Sequence, residues 1–175
     1  MTGRPQVPGH ASEAELSRWM RDYGTMLVGT CTALLGDGHL AQDMVQETFI
    51  RAYQHRDRFR GEREGSEKAW LTRIAINLCR DHQRSKWFRF VDQRVPVEEL
   101  ALPAEEEQDE VDQLRAALQS LPAKYREVIL LRYYQDMSTD EIARTLQVSA
   151  SSVYRRVGKA LQLLKQRLER GNFHG

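Results

Sequence analysis

The fold class that the sequence predicts is all-α: two small helical domains joined by a flexible linker, the C-terminal one containing a helix-turn-helix. Three observations carry this expectation. Apolar residues recur at a spacing of three and four through the long segments of the chain. No stretch alternates convincingly as a strand would; "FRFV" at 88–91 is short and basic. A proline- and acid-rich stretch, "DQRVPVEELALPAEEEQ" at 92–108, interrupts the pattern and separates residues 12–91 from residues 109–171.

Taken in order, residues 1–11 carry Pro5, Pro8 and two glycines and read as a flexible tail. Ser12 with Glu15 three residues on is a capping box, which starts a helix through Leu16, Trp19, Met20 and Tyr23. "TMLVGTCTALLGD" reads as a second, mostly apolar helix that stops near Gly36-Asp37-Gly38. "HLAQDMVQETFIRAYQHRDRF" is a third, with Leu40, Met44, Val45, Phe49 and Ala52 on one side. "RGEREGSEK" reads as a loop, and "AWLTRIAINLCRDHQRSKWF" as a fourth helix. Beyond the linker, helices resume at "DEVDQLRAALQSL". Pro122 suits a first helical turn, and "AKYREVILLRYYQ" follows it.

With 41% hydrophobic and 29% charged residues, the composition is that of a soluble, helix-rich protein. The net charge of +1 gives no sign of a polyanionic partner, but it hides a pattern. Residues 51–94 hold twelve bases against six acids. Residues 98–112 hold eight acids and no base. Residues 149–171 hold six bases against one acid. Two basic blocks flank an acidic spacer. Cys31 and Cys79 form no CxxC pair and read as small core residues rather than a disulfide framework or a zinc site. No apolar run suggests a signal peptide or a membrane insertion, so the expected location is the cytoplasm.

The stretch "STDEIARTLQVSASSVYRRVGKAL", 138–161, is the most informative. Ser138 and Glu141 form another capping box, "QVS" supplies a turn, and Ser149 can cap the helix that follows. In that helix Val153, Val157, Ala160, Leu161, Leu164 and Leu168 repeat on one side, facing inward. Ser151, Ser152, Arg155, Arg156 and Lys159 lie opposite. Short hydroxyls let the first turn approach a groove closely. Arginine reads guanine, and lysine neutralises phosphate. Gln147 stands where such turns often place glycine, and Tyr154 has two open roles, packing or stacking beside the backbone of DNA.

In the first half, "AQDMVQETFIRAY" puts Asp43, Gln46 and Glu47 on one polar side of a helix. "RFRGE" and "AWLTRIAINLCRDHQR" form a loop followed by a basic helix. Together with "LPAKYREVILLRYYQDMSTDEIARTL" and "SSVYRRVGKALQLLKQRL", in this order, they make the chain resemble the extracytoplasmic-function (group IV) sigma factors of bacterial RNA polymerase. The resemblance implies promoter-specific transcription initiation. Asp43, Gln46 and Glu47 would bind the clamp helices of the largest polymerase subunit, with the flap as a further contact. Residues 12–91 would be sigma region 2, with Arg60, Trp70, Asn77, Arg80 and Arg84 at the −10 element, although Trp70 reads more readily as core than as a stacking platform. Asn77 would hold an unstacked base there, and Arg80 and Arg84 would hold phosphates. Residues 109–171 would be region 4, reading the −35 element through Ser151, Ser152, Arg155, Arg156 and Lys159. The resemblance also implies an anti-sigma partner. Glu67 stands where the family usually has an aromatic residue.

No Walker A, HExxH or GxSxG motif is present, and His39, His55 and His82 are isolated. No catalytic residue, metal site or cofactor is therefore expected, and the chain does not read as an enzyme. The alternative reading is a free-standing helix-turn-helix regulator. That reading gives no account of a basic Trp/Asn helix after a loop, or of two basic blocks on a linker.

Overall fold

A computed structural model describes residues 7–61, 66–93 and 110–171, with side chains of 87–93 and 171 outside the description. Tail residues 1–6, residues 62–65 of the expected loop, and linker residues 94–108 lie outside it. Every regular element among the described residues is helical. Helix α1 runs Glu13–Leu35, α2 Gly38–Gln54 and α3 Glu67–Gln93, with a short 3₁₀ turn, Arg56–Arg58, between α2 and α3. In the second half, α4 is Glu110–Gln119, and α5, Ala123–Ile129, continues into a π-helical turn, Leu130–Tyr134. Helices α6, Thr139–Leu146, and α7, Ala150–Gly171, follow.

The two helices expected over 12–37 are one. Trp19, Leu27, Cys31 and Leu34 stay on a single buried stripe across Gly24. Glycine inside a helix costs about 1 kcal/mol relative to alanine, which burial of such side chains outweighs. Both ends are capped as the sequence implies. Ser12 Oγ accepts from Glu15 N at 3.1 Å, and the Glu15 carboxylate accepts from Ser12 N at 3.1 Å. Gly36 takes a left-handed conformation, φ 73°, and donates to the Thr32 carbonyl. Asp37 then opens α2 by accepting from His39 N and Leu40 N.

Two further expectations need correction. Residues 7–11 are not loose. Ala11 is buried and donates to the Tyr53 carbonyl at 2.8 Å, and His10 meets the Tyr53 ring edge-on. Glu67 and Lys68 belong to α3 rather than to the loop. Arg18 pulls Glu67 into the first turn with a bidentate pair at 2.7 and 2.8 Å. The Arg18 guanidinium holds the Glu67 carboxyl below its ordinary value of 4.5.

The core does not stop at the boundary between the halves. The buried residues of α1, α2 and α3 form one cluster with Val128, Leu131, Met137, Ile142 and Val153. The second half therefore packs on the first, chiefly through α3 against α6 and through the end of α1 against α4 and α5.

Helix α6 ends in a Schellman motif. Gln147 N donates to the Arg144 carbonyl, and Val148 N donates to the Ala143 carbonyl at 3.0 Å. The motif requires the left-handed conformation at Gln147, φ 56°, where a side chain is penalised and glycine is not. Gln147→Gly should therefore stabilise the protein by about 0.5–1 kcal/mol, raising Tm by roughly 2 °C in a circular-dichroism melt. A fall in Tm would show that the glutamine side chain holds the turn.

Acid sensitivity follows from the Arg18–Glu67 pair. Because the carboxyl is depressed in the folded state, its contribution is present above about pH 4.5 and is lost as pH falls through the lowered folded value. Arg18→Ala should cost about 0.5–1 kcal/mol at pH 7, as a partly exposed pair does. In melts taken from pH 7 to pH 3, the gap between parent and variant should close.

Candidate nucleic-acid interface

The helix-turn-helix is built as the sequence implies. Ser138 Oγ accepts from Glu141 N at 3.2 Å, and the Glu141 carboxylate accepts from Ser138 N at 2.8 Å. Ser149 caps α7 by accepting from Ser152 N at 3.1 Å. Val148 is half-buried against the core between the two helices.

Along α7, Val153, Ala160 and Leu164 are buried, and Val157 and Leu168 are half-buried. Ser151, Arg155 and Lys159, four apart, are exposed on the outer face, while Ser152 and Arg156 are half-buried at its flank. Two expectations change here. Leu161 is 43% exposed and does not join the inward stripe. Tyr154 is 67% exposed, so of its two open roles packing is excluded.

The N-terminal candidates fall into three groups. Asp43 and Gln46 are exposed on α2, and half-buried Glu47 pairs with Arg51 one turn on at 2.7 Å. Asp43 and Glu47, but not Gln46, line a shallow groove between α2 and α3 together with Asp37, Asp81 and His82. On α3, Asn77, Arg80 and Arg84 follow at three and four, so they share a face; Asn77 and Arg84 are exposed. Arg73, one turn before Asn77 and half-buried, extends this row, and the sequence reading did not include it. Arg60 is exposed just after the 3₁₀ turn.

Trp70 leaves the DNA-facing set. It is 7% exposed, edge-on to Trp19 at 5.7 Å and tilted against Phe59 at 5.1 Å. Its ring is a core element and cannot serve as a stacking platform without unpacking the first half.

Arg80 is already engaged. It donates from Nε and Nη2 to the two oxygens of Glu127 on α5, at 2.8 and 2.5 Å. The Glu127 side chain is 3% exposed and that of Arg80 is 35%. The pair belongs to a polar seam that the sequence reading missed. Gln135, 3% exposed, accepts from Thr72 Oγ1 and donates to Thr30 Oγ1, both at 2.9 Å, while its carbonyl accepts from Lys68. Arg126 and Gln119 donate to the Leu34 and Ala33 carbonyls at the end of α1. The sequence signal was slight: a charged pair inside "YREVILL", and two threonines among apolar residues.

Two short helical halves, a helix-turn-helix with its cations outward, and a second basic helix face together make a candidate surface for nucleic acid. The comparisons agree. Residues 19–89 match the family model of sigma-70 region 2, and residues 112–164 match that of sigma-70 region 4. The chain is 33% identical over 166 residues to the ECF RNA polymerase sigma factor SigL of Mycobacterium tuberculosis, covering 91% of this chain and 92% of that one. It is 32% identical over 160 residues to SigW of Bacillus subtilis, covering 83% and 84%. Among solved structures, the fold is similar to the sigma factor RpoE of Bartonella quintana in complex with the anti-sigma factor NepR (TM-score 0.75, 24% identity, 89% of this chain and 97% of that chain). It is also similar to CnrH bound to the cytosolic domain of CnrY (TM-score 0.66, 23% identity, 91% of each). The chain belongs to the ECF family of RNA polymerase sigma factors. Among the described residues, no helix is long and apolar enough to cross a membrane.

Proposed function

We propose that the protein carries core RNA polymerase to its promoters with a fixed division of labour. Residues 12–91 bind the polymerase and open the −10 element, residues 109–171 read the −35 element, and residues 92–108 span between them. The observation that supports this most directly is the outer face of α7, where exposed Ser151, Arg155 and Lys159 lie opposite buried Val153 and Ala160. A helix so divided can lie in a major groove with its short hydroxyls at the entrance and its long cations over bases and phosphates.

On α2, Asp43, Gln46 and Glu47 present carboxylates and an amide, which suit an arginine-bearing partner such as the clamp helices of the largest subunit. The flap of the polymerase is a further expected contact. On α3, Asn77 holds an extruded base by its edge, while Arg80 and Arg84 contact phosphates; Arg60, ahead of α3, belongs to the same −10 surface. The site of action is the cytoplasm, where polymerase and DNA meet. An anti-sigma factor is the expected regulator, by analogy with the complexes of RpoE with NepR and of CnrH with CnrY.

The direct test is in vitro transcription from genomic fragments with core polymerase, with and without the protein. A promoter library selected with parent, Arg155→Ala, Arg156→Ala and Lys159→Ala then separates the roles on α7. Loss of a base-reading arginine should cost roughly 1–3 kcal/mol and relax preference at one or two base pairs. Loss of Lys159 should weaken all sequences alike and lower the salt slope by about one. If no arginine substitution changes base preference, α7 holds backbone only.

On α2, Asp43→Ala with Gln46→Ala should raise Kd for core polymerase by roughly tenfold or more without moving Tm. Unchanged affinity would make the patch ordinary solvated surface.

A further inference from the structure

Gly158 stands well inside α7, and nothing in the fold requires a glycine there. Its backbone is not left-handed. A Cβ built on it would meet nothing within 4 Å beyond its chain neighbours and the backbone of its own helix. Gly29 of α1 is different: a Cβ there would strike the Tyr134 hydroxyl, so packing within the chain explains it. Glycine is the least favourable residue in a helix interior after proline, because it exposes backbone and loses the most conformational freedom. At Gly158 that cost has no return inside the protein.

The surroundings of Gly158 show where a return lies. Tyr154, one turn before it, and Leu161, one turn after, follow at four and three, so the three residues form one stripe. Both side chains are exposed, although Leu161 has the character of a core residue. Beside the exposed row of Ser151, Arg155 and Lys159, α7 therefore carries a strip in which two apolar side chains bracket bare backbone. The strip has no charge, and from residue 150 to residue 168 the helix has no acid. Such a face suits a polyanion that presents one small apolar group at the strip. Among the base edges in the major groove of DNA, the 5-methyl group of thymine has that character.

We propose that Gly158, bracketed by Tyr154 and Leu161, forms a recess for a thymine methyl group of the −35 element, and so sets the preference at one A·T pair. This rests on the placement of α7 in the major groove proposed above, and adds to it a readout by shape rather than by hydrogen bond. The missing Cβ lets the base edge approach the helix backbone. Arg155 and Lys159, on the adjacent row, hold the helix in place through base and phosphate. Seating the methyl group takes apolar surface out of water on both sides of the contact, which gives the exposed Tyr154 and Leu161 side chains a role.

The test uses the full chain assembled with core polymerase, on a promoter duplex selected from the library. Each thymine of the −35 element is replaced in turn by uracil, which lacks only the methyl group. For the parent, uracil at one position should weaken binding roughly threefold to fivefold, the worth of one buried methyl. Gly158→Ala fills the recess with a methyl of its own. It should bind the thymine duplex at least roughly threefold more weakly than the parent does, and should no longer prefer thymine to uracil at that position. The same variant, as the free chain, should melt roughly 2–4 °C higher than the parent, which separates loss of fit from loss of fold. Gly24→Ala fills another open helix interior, on α1. It should raise Tm in the same way and leave binding to both duplexes unchanged. A parent indifferent to uracil at every position overturns the recess. So does a Gly158→Ala chain that keeps the preference for thymine or binds the thymine duplex as tightly as the parent. In those cases the −35 reading stands if Arg155→Ala still changes base preference. A parent that selects no −35 sequence removes both.

Discussion

The Arg126 guanidinium brings a positive charge into the interior, and the surrounding backbone is arranged to satisfy it. Four carbonyls accept from it: Leu118, Gln119 and Leu121 at the end of α4, and Leu34 at the end of α1. Burial lowers its pKa, and the neighbouring Glu127 carboxylate opposes that shift. A buried ion is tolerated only when paired and hydrogen-bonded on most of its donors, so this one arginine fixes several segments at once. It holds the α4–α5 turn, and it closes the C-terminal end of α1. That end has no basic residue of its own in its last turn, and its final carbonyls have no partners within the helix.

The position of α5 follows from that anchor. Glu127, the next residue, points at α3 and finds Arg80. The π-helical turn then inserts an extra residue per turn, with Gln135 N donating to Leu130 O. This turn carries Gln135 inward to the two threonines and leaves Asp136 in the left-handed region, φ 53°. From there Met137 enters the core and Ser138 starts α6. The helix-turn-helix is thus oriented by a chain of backbone constraints that begins at Arg126.

The outer face of α7 depends on none of this. Val153, Ala160 and Leu164 bind it to the domain from one side only, and residues on the opposite side remain in solvent whatever the seam does. The same holds for Asp43 and Gln46 on α2. These exposed faces are locally determined helix faces, while the relation between the two halves rests on a shared apolar core and on long-range polar contacts.

That division also separates what the sequence by itself determined from what the tertiary structure decided. Capping boxes at Ser12 and Ser138, the stop at Gly36, the turn before Ser149 and the two faces of α7 were legible because each depends on residues within a turn or two. The merging of two expected helices across Gly24 was not, since a local propensity cost is outweighed only by distant packing against α2 and α3. Glu67 read as loop because its helical place is held by Arg18, 49 positions earlier. Trp70 was legible as an aromatic at a helix start, but only the neighbouring rings of Trp19 and Phe59 decide that it is core. Arg80 read as a free cation because nothing near it in sequence reveals a partner 47 residues away. Periodicity and caps are short-range physics written into the order of residues. The pairing of buried charges is settled only when the chain has brought its ends together.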